Sequence, residues 1–132
     1  MSQENIDALR RVYEGWERGD FTVRESLFEE NVTLVIDPEI PDGGVFAGRE
    51  GVRAYMKRFL DAWESLTIAA ESFKDAGDTV LVDITQTGTG HSSGVPIEMH
   101  LFQLWTFRGG KVIRLETILR EAAALQAVGL RE

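Results

Sequence analysis

The chain has no cysteine, which excludes disulfides, thiol nucleophiles and thiolate-held metal centres. Histidine is nearly as scarce. His91 and His100 are the two present, without a His-x-x-x-His pair, so the expectation is no metal and no cofactor. Positive charge is also in short supply, with 14 Lys and Arg against 22 Asp and Glu. The resulting net charge of −8 excludes the cationic surface from which nucleic-acid binding draws its free energy, and predicts solubility rather than an acidic partner. No run approaches the roughly 18 apolar residues of a membrane span. The opening MSQENIDALRR is polar and helical in pattern, without the apolar core of a signal peptide. These absences predict a cytoplasmic protein that touches neither membrane nor nucleic acid.

What remains is a globular composition, 43% hydrophobic and 27% charged, with no repeat or low-complexity tract. The 132 residues fit a single domain over 1–132. A domain of this size buries roughly 68–70% of its unfolded-chain surface, enough for a real core.

Ile6, Leu9, Val12, Tyr13 and Trp16 fall at helical spacing and predict an amphipathic helix from Gln3 to Arg18, ended by Gly19. Asp20 is placed to cap a short second helix through about Phe28. Val32 to Ile36 reads as a β-branched strand stopped by Asp37-Pro38, and Pro41 to Gly44 as a loop. Val52, Met56, Phe59, Leu60 and Trp63 share one face of a helix predicted over Glu50 to Trp63. Four strands follow, Thr67–Phe73, Thr79–Thr89, Val95–Phe107 and Val112–Leu119, then a last helix Ala122–Val128 with Gly129 behind it. Helices first and an antiparallel meander after them argue for α+β packing, with a curved sheet wrapped around helices that cover only part of its concave face. The uncovered part becomes a pocket.

The segment Glu98 to Leu119 holds the strongest chemical signal. Glu98 and His100 sit two apart and share a strand face with Phe102 and Leu104, an apolar setting that perturbs pKa values. The opposite face carries Met99, Leu101, Trp105 and Phe107, an apolar patch that predicts a homodimer through the convex side of the sheet. Leu115, Thr117 and Leu119 alternate with Arg114 and Glu116, placing the former inward and the latter on an outer polar rim. Val12, Trp16, Phe59 and Trp63 would form the helical wall of the cup, and stripes of this kind are more often plain core than ligand surface. His91 lies in a Gly-rich loop that lacks the GKS/T ending and helix start of a phosphate cradle.

Short motifs spread along the chain carry a family resemblance. They are Gly19-Asp20, Phe46-Ala47-Gly48-Arg49-Glu50, Ser93-Gly94-Val95-Pro96, Trp105-Thr106-Phe107 with Gly110-Lys111-Val112, and the closing Ala124 to Leu130. In this order the chain resembles the SnoaL-like polyketide cyclase group within the cone-shaped nuclear transport factor 2 superfamily. The resemblance implies an α+β cone with a mixed, mainly antiparallel sheet around a central pocket, and dimerisation through the sheet. It also implies a small apolar ligand and, in the catalytic members, cofactor-independent isomerisation, cyclisation or dehydration. Ketosteroid isomerase is similar at Asp37-Pro38, which matches its general base, and at His100, which matches its oxyanion-hole acid; its tyrosine falls near Val12, one position from Tyr13. Limonene epoxide hydrolase is similar at Glu98 alone of three polar positions, a comparison that also turns Thr117 inward.

Two functions follow as expectations. In the first, Asp37 abstracts a proton beside a carbonyl, His100 polarises the oxygen and Glu98 partners the histidine, while Val12, Trp16, Phe59 and Trp63 hold the substrate with Phe102, Leu104, Leu115, Thr117 and Leu119. In the second, the same cone only binds a ligand or partner, Asp37 closes an Asx-type turn, and His100 is bonded to Glu98, Gln103 or backbone.

Overall fold

A computed structural model describes residues 2–22 and 24–129. Leu130, the last residue of the closing motif, and Val23, inside the predicted second helix, lie outside the described residues. The elements are α1 (Ser2–Glu17), β1 (Phe28–Ile36), β2 (Gly44–Ala47), α2 (Gly48–Asp61), β3 (Trp63–Ala76), β4 (Thr79–Gly90), β5 (Pro96–Arg108), β6 (Lys111–Ile118) and α3 (Glu121–Ala127). The six strands form one sheet in the order β2-β1-β6-β5-β4-β3. Only the β1–β6 pair is parallel; the other neighbours run antiparallel. This is an α+β cone.

The apolar stripe of α1 buries Leu9, Tyr13 and Trp16 against the sheet. Burying a side chain of this size contributes roughly 1.5–3 kcal/mol, more than the helix gains from propensity. Gly19, at a φ of 84°, takes the left-handed position that closes the helix, and Asp20 N–H reaches back to Gly15 O at 2.8 Å. Among the described residues no α-helix follows: Asp20 Oδ1 accepts from Thr22 N–H at 3.1 Å and Glu25–Leu27 makes a 3₁₀ turn. The aspartate closes a local turn instead of starting a helix, and Phe21 packs on Trp16 with ring centroids 6.0 Å apart.

The helix predicted to reach Trp63 ends at Asp61, and Trp63 opens β3 in register with Gly90. The short β2 pairs Val45 with Val35, an added strand that four residues of sequence do not announce. Among the described residues no helix is long and apolar enough to cross a membrane.

The faces of β5 are the opposite of those expected. Leu101, Trp105 and Phe107 point toward α1 and α2 and belong to the main core, with Met99 packed against it. Phe102 and Leu104 lie on the other side, under α3, in a second cluster with Leu81, Ile118, Ala124 and Leu125. Both faces of this strand are apolar, so alternation alone does not say which is inner. The closing helix covers one of them, which removes the exposed apolar patch on which the Met99, Leu101, Trp105 and Phe107 dimer interface rested; Trp105 is 0% exposed.

Candidate functional site

Between the helices and the inner face of the sheet lies a cavity of about 320 Å³, in the lower range of ligand pockets. Trp16 of α1 and Tyr55, Met56 and Phe59 of α2 form its helical wall. Leu34 and Ile36 of β1 lead into the rim residues Ile40, Pro41 and Asp42. Trp63 and Ile68 close the β3 side, while Met99, Leu101, Gln103, Gln86, Leu115 and Thr117 make the floor. Tyr55 stacks on Phe59 at 5.8 Å between centroids, and Phe59 meets Trp63 edge-on at 6.1 Å. Trp63 reaches over β4 because residue 88 is glycine: a Cβ there would stand 2.3 Å from Ser65 O and 2.8 Å from Trp63 Cε3.

The polar groups of the floor arise from cross-strand register. Gln103 pairs with Thr117 on one side and Val82 on the other, so Gln103 and Thr117 point inward together. Trp105 Nε1–H donates to the Tyr13 hydroxyl at 2.8 Å, and that hydroxyl donates to Gln103 Oε1. Gln103 Nε2 donates in turn to Thr117 Oγ1 at 3.2 Å. Burial pushes the Tyr13 pKa up, outweighing the lowering by Trp105, so the phenol stays neutral and serves as a fixed donor. Gln86 is 5% exposed and makes no side-chain hydrogen bond among the described residues, and its carboxamide borders the open space of the cavity. Trp16 Nε1 is buried with no acceptor among the described residues.

Asp42 is the one carboxylate among the described residues that lines the cavity, at its exposed rim and at a φ of 64°. Its charge, after the larger effect of burial, helps push the Tyr55 phenol up to about 12.

Of the residues expected in the pocket, Trp16, Phe59, Trp63, Leu115 and Thr117 line it. Val12 and Leu119 pack against the core without reaching the cavity, and Phe102 and Leu104 are on the far side of the sheet. The Asp37 and His100 couple is not assembled. Asp37 Oδ2 accepts from Leu119 N–H and Oδ1 from Glu39 N–H, both at 3.0 Å, which fastens the end of β1 to the end of β6. These two backbone donors hold its carboxyl below the usual range, the reverse of what a general base needs. His100 and Glu98 point outward with side chains 65% exposed; His100 Nδ1 meets Thr85 Oγ1 at 3.2 Å and Nε2 lies 3.6 Å from Glu98 Oε2. Arg49 anchors α2 by donating from Nε and Nη2 to Phe28 O at 2.9 and 2.7 Å.

Gln86, Gln103, Tyr55 and Asp42 were not singled out by the sequence. A signal existed for the glutamines: Gln86 shares a period-2 face with Val80, Val82 and Ile84, and Gln103 with Leu101 and Trp105, polar residues in otherwise apolar rows. Among the described residues no three His, Asp or Glu side chains gather as metal ligands.

A sheet curved around two helices, with an apolar cavity between them, defines the cone-shaped α+β domains. The chain belongs to the SnoaL-like domain family, whose model matches residues 9–115. No curated protein matches it by sequence. A nuclear transport factor 2-like protein of unknown function from Burkholderia pseudomallei superposes with a TM-score of 0.78 at 19% identity, covering 95% of this chain and 97% of that one. TerC, crystallised with polyporic acid, gives 0.74 at 23% identity over 96% and 98% of the two chains. A protein of ketosteroid isomerase-like fold from Catenulispora acidiphila, in complex with trimethylamine, gives 0.70 at 19% identity over 99% and 96%. At these identities the likeness is one of fold.

Proposed function

We propose that this domain binds a small, mainly apolar molecule bearing a carbonyl or hydroxyl oxygen, and holds it without transforming it. The observation that carries this reading is the floor of the cavity, where the carboxamide of Gln86, without a side-chain hydrogen bond among the described residues, stands beside the bonded Gln103 and Thr117 in apolar surroundings. The carboxamide reaches the open space of the cavity, so a ligand oxygen can accept from it in surroundings where few other polar groups compete. The ligands held by TerC and by the Catenulispora protein support a small-molecule role for this fold. A homodimer, expected from the family resemblance, would use the outward row of Thr85, Thr87, Glu98 and His100 rather than the buried aromatic row.

Catalysis by proton transfer, whether isomerisation, cyclisation or dehydration, is the second reading and rests on Asp42, the carboxylate at the rim. Paired probes separate the two. Binding of 4-phenylcyclohexanone and of phenylcyclohexane, followed by tryptophan fluorescence, should favour the ketone, and Gln86→Leu should shrink that preference by roughly 2–10-fold, the worth of one hydrogen bond. Equal binding of the two probes would remove the role given to Gln86. Turnover of an enone that disappears in Asp42→Asn would overturn the binding-only reading.

A further inference from the structure

A second cavity of about 180 Å³ abuts the first and shares Trp16, Leu34, Met56 and Leu115 with it. Its remaining apolar wall comes from Phe21, Phe28, Val52 and Trp105. Protein interiors are ordinarily packed with few voids larger than a water molecule, so two adjoining apolar chambers behind one partition need an explanation. We infer that the ligand is elongated: one part lies in the chamber floored by Gln86 and the other passes Met56 into the chamber beside Val52. This rests on the small-molecule reading above and adds to it the shape of the ligand.

Two observations carry it. Met56 is the partition residue with the most freedom, an unbranched and half-buried side chain that can swing aside where a β-branched one cannot. At its far end the second chamber reaches a charged rim, where Arg53 and Glu25 form a two-point ion pair at 2.8 and 2.9 Å between α2 and the turn before β1, so its apolar part ends there.

The test uses three ketones against the whole chain. They are cyclohexanone, which fits one chamber, and two long isomers, dihexyl ketone with its carbonyl in the middle and methyl undecyl ketone with its carbonyl near one end. In methyl NMR spectra, both long ketones should shift the Val52 signals while cyclohexanone shifts only those of the first chamber, such as Ile68. Val52→Phe, which fills the second chamber, should weaken both long ketones by about tenfold or more through lost apolar burial and leave cyclohexanone unchanged. If that variant does not fold, the Val52 signals of the unmodified protein decide the matter alone. Long ketones that bind without moving Val52 overturn the two-chamber inference and leave the binding reading standing. Absence of binding by all three ketones overturns both.

Discussion

The Tyr13 hydroxyl donates to Gln103 Oε1 while accepting the Trp105 indole N–H at 2.8 Å, joining α1 to the inner face of β5 through one buried oxygen. Tyr13→Phe removes that oxygen and leaves an indole N–H and a carboxamide oxygen buried without partners. The expected cost is roughly 1–3 kcal/mol of stability per unsatisfied group. Urea denaturation measures it, and an unchanged midpoint would show that water replaces the hydroxyl.

Gly88→Ala should push Trp63 off the cavity wall, because the new Cβ would stand 2.8 Å from Cε3 of the indole and 2.3 Å from Ser65 O. The variant should lose ligand affinity and show a red-shifted tryptophan emission, with a destabilisation of roughly 1–3 kcal/mol for the overpacked site. Wild-type emission together with wild-type affinity would mean that the strand yields instead of the indole.

Asp37 makes the acid limb of stability testable. Its carboxyl is lowered from the ordinary value of 3.8, chiefly by the Leu119 and then by the Glu39 backbone donors. A depressed folded-state pKa contributes stability that is present above the unfolded value and lost as pH falls through the folded one. Asp37→Asn should therefore be less stable at neutral pH and lose less on acidification below about pH 4, while ligand affinity stays the same. Thermal melts across that window check the first two statements. A binding or activity loss larger than the stability loss would restore a functional role to Asp37.

Trp105→Glu and His100→Ala should differ sharply. Trp105 is fully buried and bonded to Tyr13, so a carboxylate there adds the cost of a buried charge to about 3–5 kcal/mol of lost packing, and the protein should not fold. His100 is exposed, and its removal should change stability by no more than about 0.5 kcal/mol and leave binding intact. Circular dichroism distinguishes these outcomes. A folded Trp105→Glu chain would place this tryptophan at a surface after all.

Periodicity alone located α1, the four-strand meander and the closing helix, because each is a pattern of 3.6 or 2, and α1, β3, β5 and α3 stop beside Gly19, Gly77, Gly109 and Gly129, all at positive φ. The family was legible for the same reason, through short motifs at element ends. Local pattern also placed Trp16, Phe59, Leu115 and Thr117 on the inner side. It could not decide which apolar face of β5 is inner. That choice depends on α3, seven residues that pack on Phe102 and Leu104 and so turn Met99, Leu101, Gln103 and Trp105 toward the helices. A strand flipped by one residue exchanges all its neighbours, and so Glu98 and His100 left the site while Gln103 entered it. The long-range partners of Asp37 and Tyr13 were decided the same way, by residues 82, 90 and 92 positions away that only the closed sheet brings within hydrogen-bond reach.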